Sequence, residues 1–438
     1  MRGAKLHRYI PGGILAAAFL ALAALFLSGN TAAYRGILSA MGFHPWDFPF
    51  LDMHGILATA ECHRRGIDVI ASNPCDILGR TLDYSPFWLV TASLGIDTSM
   101  TMRAGLILDL IFLGCVFFLP RAKSWSAVAV MIAALLSSAV VMALERANLD
   151  LAVFVIAIVV AAWSVRGPAW RSFGYGLITL AALVKYYPGI MLLLALRERR
   201  RFLLPLAAAL LAVGALFVWS EGATLVRALH NIDLRPFPTT FSAINLPQGL
   251  AQLLAPNAAF LARLGELVLA SLAAAYGYTL ARRGEIRDAM QALPSRDCNL
   301  MLIGCALLLG CFFTAENAPY RNIYFLFILP VLPELWRATS SVAARRRLKL
   351  LTGAILFLMW SPFLRLVLEQ SVAGFGLGTI YAAAYVFLRE AIWWWVVSML
   401  LALLFDAFLA ARIGDRLRRK SNEGIDGEAV SVADLAGG

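Results

Sequence analysis

Long apolar runs, each bounded by a cluster of basic residues, constrain this chain more than any other feature. The runs Tyr9–Gly29 and Met100–Leu119 are each long enough to cross a bilayer as a helix. With 61% hydrophobic residues, the chain has more apolar surface than a soluble domain could bury. We therefore predict an all-α, polytopic integral membrane protein. The first run ends without an A-x-A site, so we expect a signal anchor rather than a cleaved signal peptide.

The basic clusters set the predicted topology. Cytoplasmic loops of membrane proteins carry an excess of Lys and Arg, and each cluster in this chain abuts an apolar run. We predict that all seven clusters and both termini are cytoplasmic. Because the clusters are short and topology accounts for each of them, no nucleic-acid partner is expected. The clusters are Arg2/Lys5/Arg8, Arg121/Lys123, Arg166/Arg171, Arg197/Arg199/Arg200/Arg201, Arg282/Arg283/Arg287, Arg345/Arg346/Arg347/Lys349 and Arg412/Arg416/Arg418/Arg419/Lys420.

This orientation predicts a helical bundle of about ten full crossings within residues 1–420. The short stretch Pro86–Leu94 is expected to dip back into the membrane from the outside. Residues 421–438 are polar and lack an apolar face, so they are predicted to form a disordered cytoplasmic tail. The predicted crossings are 10–29, 100–119, 124–144, 150–165, 203–219, 258–281, 299–315, 322–336, 350–367 and 388–411.

A single apolar run joins the basic residues Arg171 and Arg197, so the chain must leave the cytoplasmic side and return to it within that run. Pro188 can break a helix, and we predict two half-length helices that meet at Lys185-Tyr186-Tyr187-Pro188. Broken backbone at membrane depth is tolerated where it is buried in protein or lines a cavity. The alternative is one kinked crossing that violates the charge rule.

Charged residues are scarce in most of the chain but gather in a predicted outside loop, residues 30–85, and this favours chemistry at the membrane surface. A second predicted outside loop spans 220–257. Cys62 and Cys75 share the first loop, where an oxidising compartment would permit a disulfide, but two residues leave their pairing open. No P-loop and no H-E-x-x-H motif is present, and we expect neither a metal nor another cofactor.

The predicted outside ends of later helices add further polar residues. The segment ERANLD places Glu145 with Asn148, and Arg146 with Asp150, on shared helix faces. The Arg146–Asp150 pair could equally be a capping or ion-pair feature. The turn ENAPYRN adds Glu316, for which a solvated turn position is the alternative.

Lys185 lies in the middle of an apolar run. An ionisable side chain there costs about 2.5–3.5 kcal/mol on insertion scales, so a functional role is favoured over snorkelling to the interface. Carboxylates, cations and a cavity open to lipid suit sugar transfer from a lipid-linked phosphate. The leaving phosphate needs cations, the acceptor hydroxyl needs a carboxylate as general base, and a polyprenyl tail would lie in a groove between helices.

Six segments, in order along the chain, resemble those of the type C glycosyltransferase superfamily. The similarity is to polyprenyl-phosphate-mannose-dependent α-mannosyltransferases in particular, and to their uncharacterised bacterial relatives. It covers most of the chain through short, degenerate segments. These are DMHGILATAECHRRGIDVIASNPCD, LDYSPFW, ERANLDLAVF, VKYYPGIMLLL, INLPQGLAQLL and APYRNIYFLFILP.

The resemblance implies a type C glycosyltransferase-like fold with a catalytic aspartate in the first outside loop. Asp52 matches that position best, and Asp47 is the second candidate. Lys185 matches the family's Lys before Pro. Ser85 stands where the family typically has Pro. Arg321 stands near a position that is often His in the mannosyltransferases, which points to another sugar or acceptor.

The implied function is an inverting hexosyltransferase that moves a sugar from a polyprenyl-phosphate donor to a glycan or lipid acceptor. It would act at the outer face of the bacterial inner membrane, among membrane lipids. Asp52 is the predicted base, and Lys185, Arg321 and Arg146 are the predicted contacts of the donor phosphate. The predicted substrate contacts are Asp47, His54, Tyr84, Glu145, Asn148, Asp150, Tyr187, Asn245 and Glu316.

Two other functions compete with this one. A transporter or flippase of lipid-linked saccharides should show paired broken helices in matching halves of the chain. A polymerase or ligase of surface polysaccharide would place its key Arg and His in a large late loop, for which His230 and Arg235 in residues 220–257 are candidates.

Overall fold

The structure is a computed structural model. It describes residues 7, 9–198, 200–231, 239–254, 259–314, 316–372 and 378–435, without the side chains of 200, 253–254, 372, 378–379 and 411–435. Within these residues, β-pairing is limited to one isolated antiparallel bridge between Phe241 and Asn317. The α-helices are α1 (Ile10–Leu27), α2 (Thr31–Ala40), α3 (Leu51–Arg64), α4 (Thr101–Val116), α5 (Trp125–Leu135), α6 (Ser138–Arg146), α7 (Asp150–Ser164), α8 (Pro168–Val184), α9 (Arg200–His230), α10 (Asn245–Leu254), α11 (Ala259–Arg283), α12 (Arg287–Gln291), α13 (Ser295–Thr314), α14 (Leu332–Ala338), α15 (Val342–Met359), α16 (Ser361–Val372) and α17 (Gly378–Leu435). The 3-10 helices are Pro86–Leu94, Thr98–Met100, Tyr187–Arg197 and Pro319–Phe327.

The helices are long and apolar enough for a membrane protein, as predicted, but the number of crossings differs. In the described part of the chain, six helices could each cross a membrane, and up to eight if each of two bent pairs counts as one crossing. The bent pairs are α5 with α6, at 46°, and α15 with α16, at 69°. The predicted count of ten is therefore not confirmed.

Two of the predicted crossings are too short. The helix α7 has 15 residues, and at 1.5 Å per residue it spans about 22 Å of a hydrocarbon core about 30 Å thick. The predicted crossing 322–336 is divided between the 3-10 helix Pro319–Phe327 and the short α14. The residues from Asn322 to Phe327 are all buried. These segments are apolar because protein surrounds them, and apolar composition alone does not separate that case from a lipid-facing helix.

The helix α13 lies at the centre of the bundle. Every residue from Asn299 to Phe312 is buried. It packs against α7, α17 and the 3-10 helices Tyr187–Arg197 and Pro319–Phe327. Gly304 permits this close approach, because a Cβ there would lie 3.0 Å from the Cγ1 atom of Ile328. The core therefore holds together the segments that carry the polar residues described below.

The predicted break near Lys185 is confirmed. The helix α8 ends at Val184, Lys185 is extended at φ −151° and ψ 102°, and the 3-10 helix begins at Tyr187. The first segment has 17 residues and the second 11, so the two halves are unequal. Tyr187 and Pro188 are buried, which fits the rule that broken backbone needs a protein environment.

The predicted outside loop 30–85 is largely structured. It contains α2 and α3, and a disulfide joins Cys62 at the end of α3 to Cys75, with 5.7 Å between the Cα atoms. The question that the sequence left open is thus answered in favour of pairing. The second loop is shorter than predicted, because α9 continues to His230 and α10 begins at Asn245. Arg235 lies outside the described residues.

Residues of the predicted cytoplasmic clusters contact acidic side chains near the predicted inner ends of crossings 322–336 and 388–411. Lys123 Nζ lies 3.0 Å from Glu334 Oε2, and Arg287 Nε lies 2.8 Å from Asp406 Oδ1. This grouping fits the predicted topology, although the side that faces the cytoplasm stays a prediction. The backbone of α17 is helical to Leu435 where a disordered tail from 421 to 438 was expected, and no side-chain packing is described there.

Candidate active site

The start of α3 is held against the end of α6 by an unusual backbone conformation. Phe50 precedes α3 in the left-handed region, at φ 71°, and its N–H donates to the Glu145 carbonyl over 2.6 Å. Its ring packs against α4, where Gly105 leaves the space: a Cβ there would lie 2.4 Å from the ring. Non-glycine residues rarely adopt this conformation, so the surrounding packing must impose it. It places Asp52 in the first turn of α3 with 7% of its surface exposed.

Asp52 is surrounded by donors. Asn148 Nδ2 donates to its Oδ2 over 2.6 Å, and its Oδ1 faces Arg80 Nη1 at 3.4 Å and Arg146 Nη1 at 3.6 Å. Hydrogen bonds to an ionised acceptor are shorter and stronger than neutral ones, so this shell holds the carboxylate in one orientation. The arrangement suits a base that must keep its geometry. The structure thus brings together the predicted residues Asp52, Arg146 and Asn148.

Arg80 is a site residue that the sequence analysis did not select. Its guanidinium donates to Asp76 from Nε and Nη2, each over 2.9 Å, and to the Leu51 carbonyl over 2.8 Å. Burial alone would raise the pKa of Asp76, but the hydrogen bonds and charge of Arg80 outweigh it and hold that pKa below its ordinary value. Gly55 leaves room for the guanidinium, because a Cβ there would lie 2.6 Å from Arg80 Nη2. The sequence feature that could have identified Arg80 is its four-residue spacing from Asp76 within residues 30–85.

A second buried centre surrounds Asp150, which has no exposed surface. Its Oδ1 lies 2.7 Å from Lys185 Nζ and accepts hydrogen bonds from the hydroxyls of Tyr187 and Tyr324. Its Oδ2 lies 3.3 Å from Arg321 Nε. Asp150 also begins α7, where the helix dipole favours a negative charge. The predicted pairing of Arg146 with Asp150 is wrong, because Arg146 contacts Asp52 and Glu145.

Asn148 connects the two centres. Its Oδ1 accepts from Lys185 Nζ over 3.0 Å and from the Asp150 backbone N–H over 2.9 Å, while its Nδ2 donates to Asp52. The left-handed conformation of Ala147, at φ 41°, turns the chain between α6 and α7 at this point. Both ends of the amide are committed, so a rotation of the side chain would break its hydrogen bonds to the Asp52 carboxylate, the Lys185 ammonium and the Asp150 backbone N–H. Asn148 therefore links Lys185 to Asp52 through hydrogen bonds.

Aromatic rings cover the cations of the second centre. Lys185 Nζ lies 5.7 Å from the centroid of the Tyr84 ring and 5.8 Å from that of Tyr187, and the Arg321 guanidinium lies 4.9 Å from the Tyr187 centroid. Trp88 Nε1 donates to the Val184 carbonyl over 3.1 Å, which ties the 3-10 helix Pro86–Leu94 to the helix break. These contacts keep water away from the charged groups and strengthen their interactions.

The remaining predicted site residues are spread over several positions. The Asp47 side chain is 86% exposed and bonds to Arg35 over 2.6 and 2.8 Å, so the structure does not bring it to Asp52. His54, on α3, lies 3.3 Å from Thr101 Oγ1, and burial lowers the pKa of its imidazole. Asn245 bonds to Thr240 and Ser242 at the start of α10. Glu316 is half-buried in the turn before the 3-10 helix that carries Arg321.

A groove of about 340 Å³ opens beside the cluster around Asp52, between α1, α2, α4 and α6. Its walls are almost entirely apolar, with Phe50 at the end nearest Asp52 and Leu15, Phe19 and Leu22 along α1. Two carboxyl groups, of Asp109 and Glu145, also line it. Among the described residues no group of three or more His, Cys, Asp or Glu side chains is placed to hold a metal ion.

Comparisons with known proteins add no relative: no protein-family model, no curated protein and no solved structure matches the chain. The fold and the site therefore define the class by themselves. The protein is a helical membrane protein with two linked, buried charged centres next to an apolar groove.

Proposed function

We propose that the protein is a membrane glycosyltransferase that moves a sugar from a polyprenyl-phosphate donor to an acceptor hydroxyl. The observation that supports this most is Asp52, a carboxylate held between the amide of Asn148 and the guanidinium groups of Arg80 and Arg146. A general base needs a fixed position, and a departing phosphate needs cations close by. Both requirements are met within one cluster.

Asp52 is the proposed general base. It accepts the proton of the acceptor hydroxyl as that oxygen attacks the anomeric carbon, and the bond from the anomeric carbon to the phosphate oxygen breaks on the opposite side. Inversion at that carbon follows from this geometry. The phosphate leaves as an anion and needs no proton from an acid.

Arg80, Arg146 and Arg321 are the proposed phosphate contacts. Their side chains are 35%, 14% and 17% exposed, so each borders accessible space. Lys185 is 6% exposed, and Asp150 and Asn148 already take its ammonium group. We therefore assign Lys185 to the positioning of Asn148, in place of the phosphate contact that the sequence predicts.

The test is an assay of the purified full-length chain with a panel of polyprenyl-phosphate sugars and a lipid extract of bacterial membranes as acceptor. Asp52→Asn keeps the shape of the side chain but cannot take the proton, so we expect transfer to fall by about 100-fold or more. Asp47→Asn is the matched control, since Asp47 lies in the same loop at the surface, and it should stay within about twofold of wild type. Full activity of Asp52→Asn would remove the proposal.

A transporter or flippase of lipid-linked saccharides is the second candidate. Its support is the number of interrupted helices: α5–α6 and α15–α16 are bent, and α8 ends at the break near Lys185. Proteoliposomes loaded with a labelled polyprenyl-phosphate sugar separate the two functions. Movement of intact donor across the bilayer, with no sugar transferred, would favour the transporter.

A further inference from the structure

The carboxyl groups in the groove have no function in the mechanism described above. Asp109 lies on α4 inside the apolar run Met100–Leu119 and has no exposed surface. Neither of its side-chain oxygens has a hydrogen-bond partner among the described residues, whereas Glu145, the other carboxyl group in the groove, faces Arg146 Nε at 3.3 Å. Buried polar atoms are almost always hydrogen-bonded, and an ionisable group at membrane depth indicates a functional site by default. These oxygens therefore point to a ligand.

The groove lies next to Asp52, so a ligand bound in it would be close to the proposed base. Arg146 connects the two sites, because its Nη1 lies 3.6 Å from Asp52 Oδ1 and its Nε lies 3.3 Å from Glu145 Oε2. Phe50, which lines the groove, precedes Asp52 by two residues. The groove then follows α1 from Leu27 to Leu15, about 18 Å at 1.5 Å per residue, which is enough for a long alkyl chain.

Charge decides between possible head groups. A phosphate would meet the carboxyl groups of Asp109 and Glu145 inside an apolar site, whereas the guanidinium groups suited to it surround Asp52. Arg103 also lines the groove, but it lies at the exposed rim, six residues before Asp109 on α4. A hydroxyl both donates and accepts hydrogen bonds. It can therefore bond to a carboxyl group whether that group is ionised or protonated, and it brings no net charge of its own.

We propose that the groove binds the acceptor, a long-chain amphiphile with an uncharged hydroxyl head. The assignment rests on the proposed function in so far as it names the occupant an acceptor. The hydroxyl lies at Asp109 and Glu145, within reach of the base, and the chain lies along α1. The donor phosphate takes the other side of Asp52, so that attack and departure occur on opposite faces of the sugar.

The test uses two photoreactive probes on the purified full-length chain: a long-chain alcohol with a diazirine in its alkyl chain, and the phosphate monoester of that alcohol. We expect the alcohol to label peptides of α1 and α4, and the phosphate to label them at least about tenfold less. Asp109→Leu should lower labelling by the alcohol about tenfold, the scale of one lost hydrogen bond to a charged group. Asp109→Asn, which can still bond to a hydroxyl, should be labelled like wild type.

Leu106→Trp provides an independent variant if Asp109→Leu does not fold. Leu106 lines the groove and is 42% exposed, so a larger side chain there fills the groove from its rim without a buried substitution. It should lower labelling by the alcohol to a similar extent. Equal labelling by the phosphate, or unchanged labelling of both Asp109→Leu and Leu106→Trp, would overturn the proposal.

Labelling does not depend on catalysis, so the two proposals fail separately. If the groove is labelled as expected and no sugar donor in the panel is used, the amphiphile site stands and the glycosyltransferase is wrong. If sugar is transferred and the groove is not labelled, the acceptor lies elsewhere.

Discussion

Lys185→Met separates two roles for the buried lysine. The side chains have similar length, and the change removes an ammonium that lies 2.7 Å from Asp150 Oδ1 and 3.0 Å from Asn148 Oδ1. Asp150 keeps the guanidinium of Arg321 at 3.3 Å. Asn148 keeps the backbone N–H of Asp150 but loses the bond that restrains its amide from the other side.

The expected cost in stability follows from burial. Removing one partner of a buried ion pair costs about 3–5 kcal/mol. Because Arg321 still compensates the carboxylate, we expect the lower end, about 3 kcal/mol. The effect on turnover follows from Asn148: if its amide no longer holds Asp52, a hydrogen bond to a charged group worth about 1.5–3 kcal/mol is lost. At 1.4 kcal/mol for each factor of ten, turnover should fall by about tenfold to a hundredfold.

Steady-state kinetics with a polyprenyl-phosphate sugar give the answer. For a positioning residue, kcat falls while KM for the donor stays within about twofold of wild type. For a residue that holds the donor phosphate, the dissociation constant of the donor rises. Lys123→Met is the matched control, since Lys123 pairs with Glu334 at the other end of the bundle and is 58% exposed. Weaker donor binding with unchanged kcat would refute the link through Asn148.

Three further predictions concern the loop of residues 30–85. Gly55→Ala places a Cβ 2.6 Å from Arg80 Nη2, and because a guanidinium can move, transfer should fall about tenfold while the thermal unfolding temperature changes little. Cys75→Ser opens the disulfide with Cys62, which should cost about 3 kcal/mol from loop entropy and lower the unfolding temperature, whereas wild type under reducing conditions should behave like the variant. The pKa of Asp76 is held below its ordinary value in the folded protein. The ionised side chain therefore stabilises the fold above the unfolded-state pKa of about 3.9, and this stabilisation is lost as the pH falls through the lower pKa of the folded state. Unfolding temperatures measured from pH 7 down to about pH 2 should show that loss in wild type and a smaller one in Asp76→Asn.

The sequence by itself determined the properties that depend on local composition. Apolar runs of membrane length identify the helices, and Pro188 in a long run predicts the break after Val184, because both signals lie within a single segment of chain. The same argument found the intramembrane Lys185. Polar residues stand out in a chain this apolar, and the segment ERANLD placed Asn148 among the candidates, whereas Asp52 was chosen because it matches a position in the family that the chain resembles.

Only the tertiary structure decided which of these residues meet. Asp52 and Asn148 are 96 positions apart, and Tyr187 and Tyr324 are 137 apart, so no local pattern records their contacts. Apolar composition also cannot distinguish a helix buried in protein from one that faces lipid, and for this reason α7 was predicted as a full crossing. Arg80 was missed because its importance comes from the partners that folding brings to it, and Asp47 was kept as the second candidate because its charge is visible in the sequence while its exposure is not.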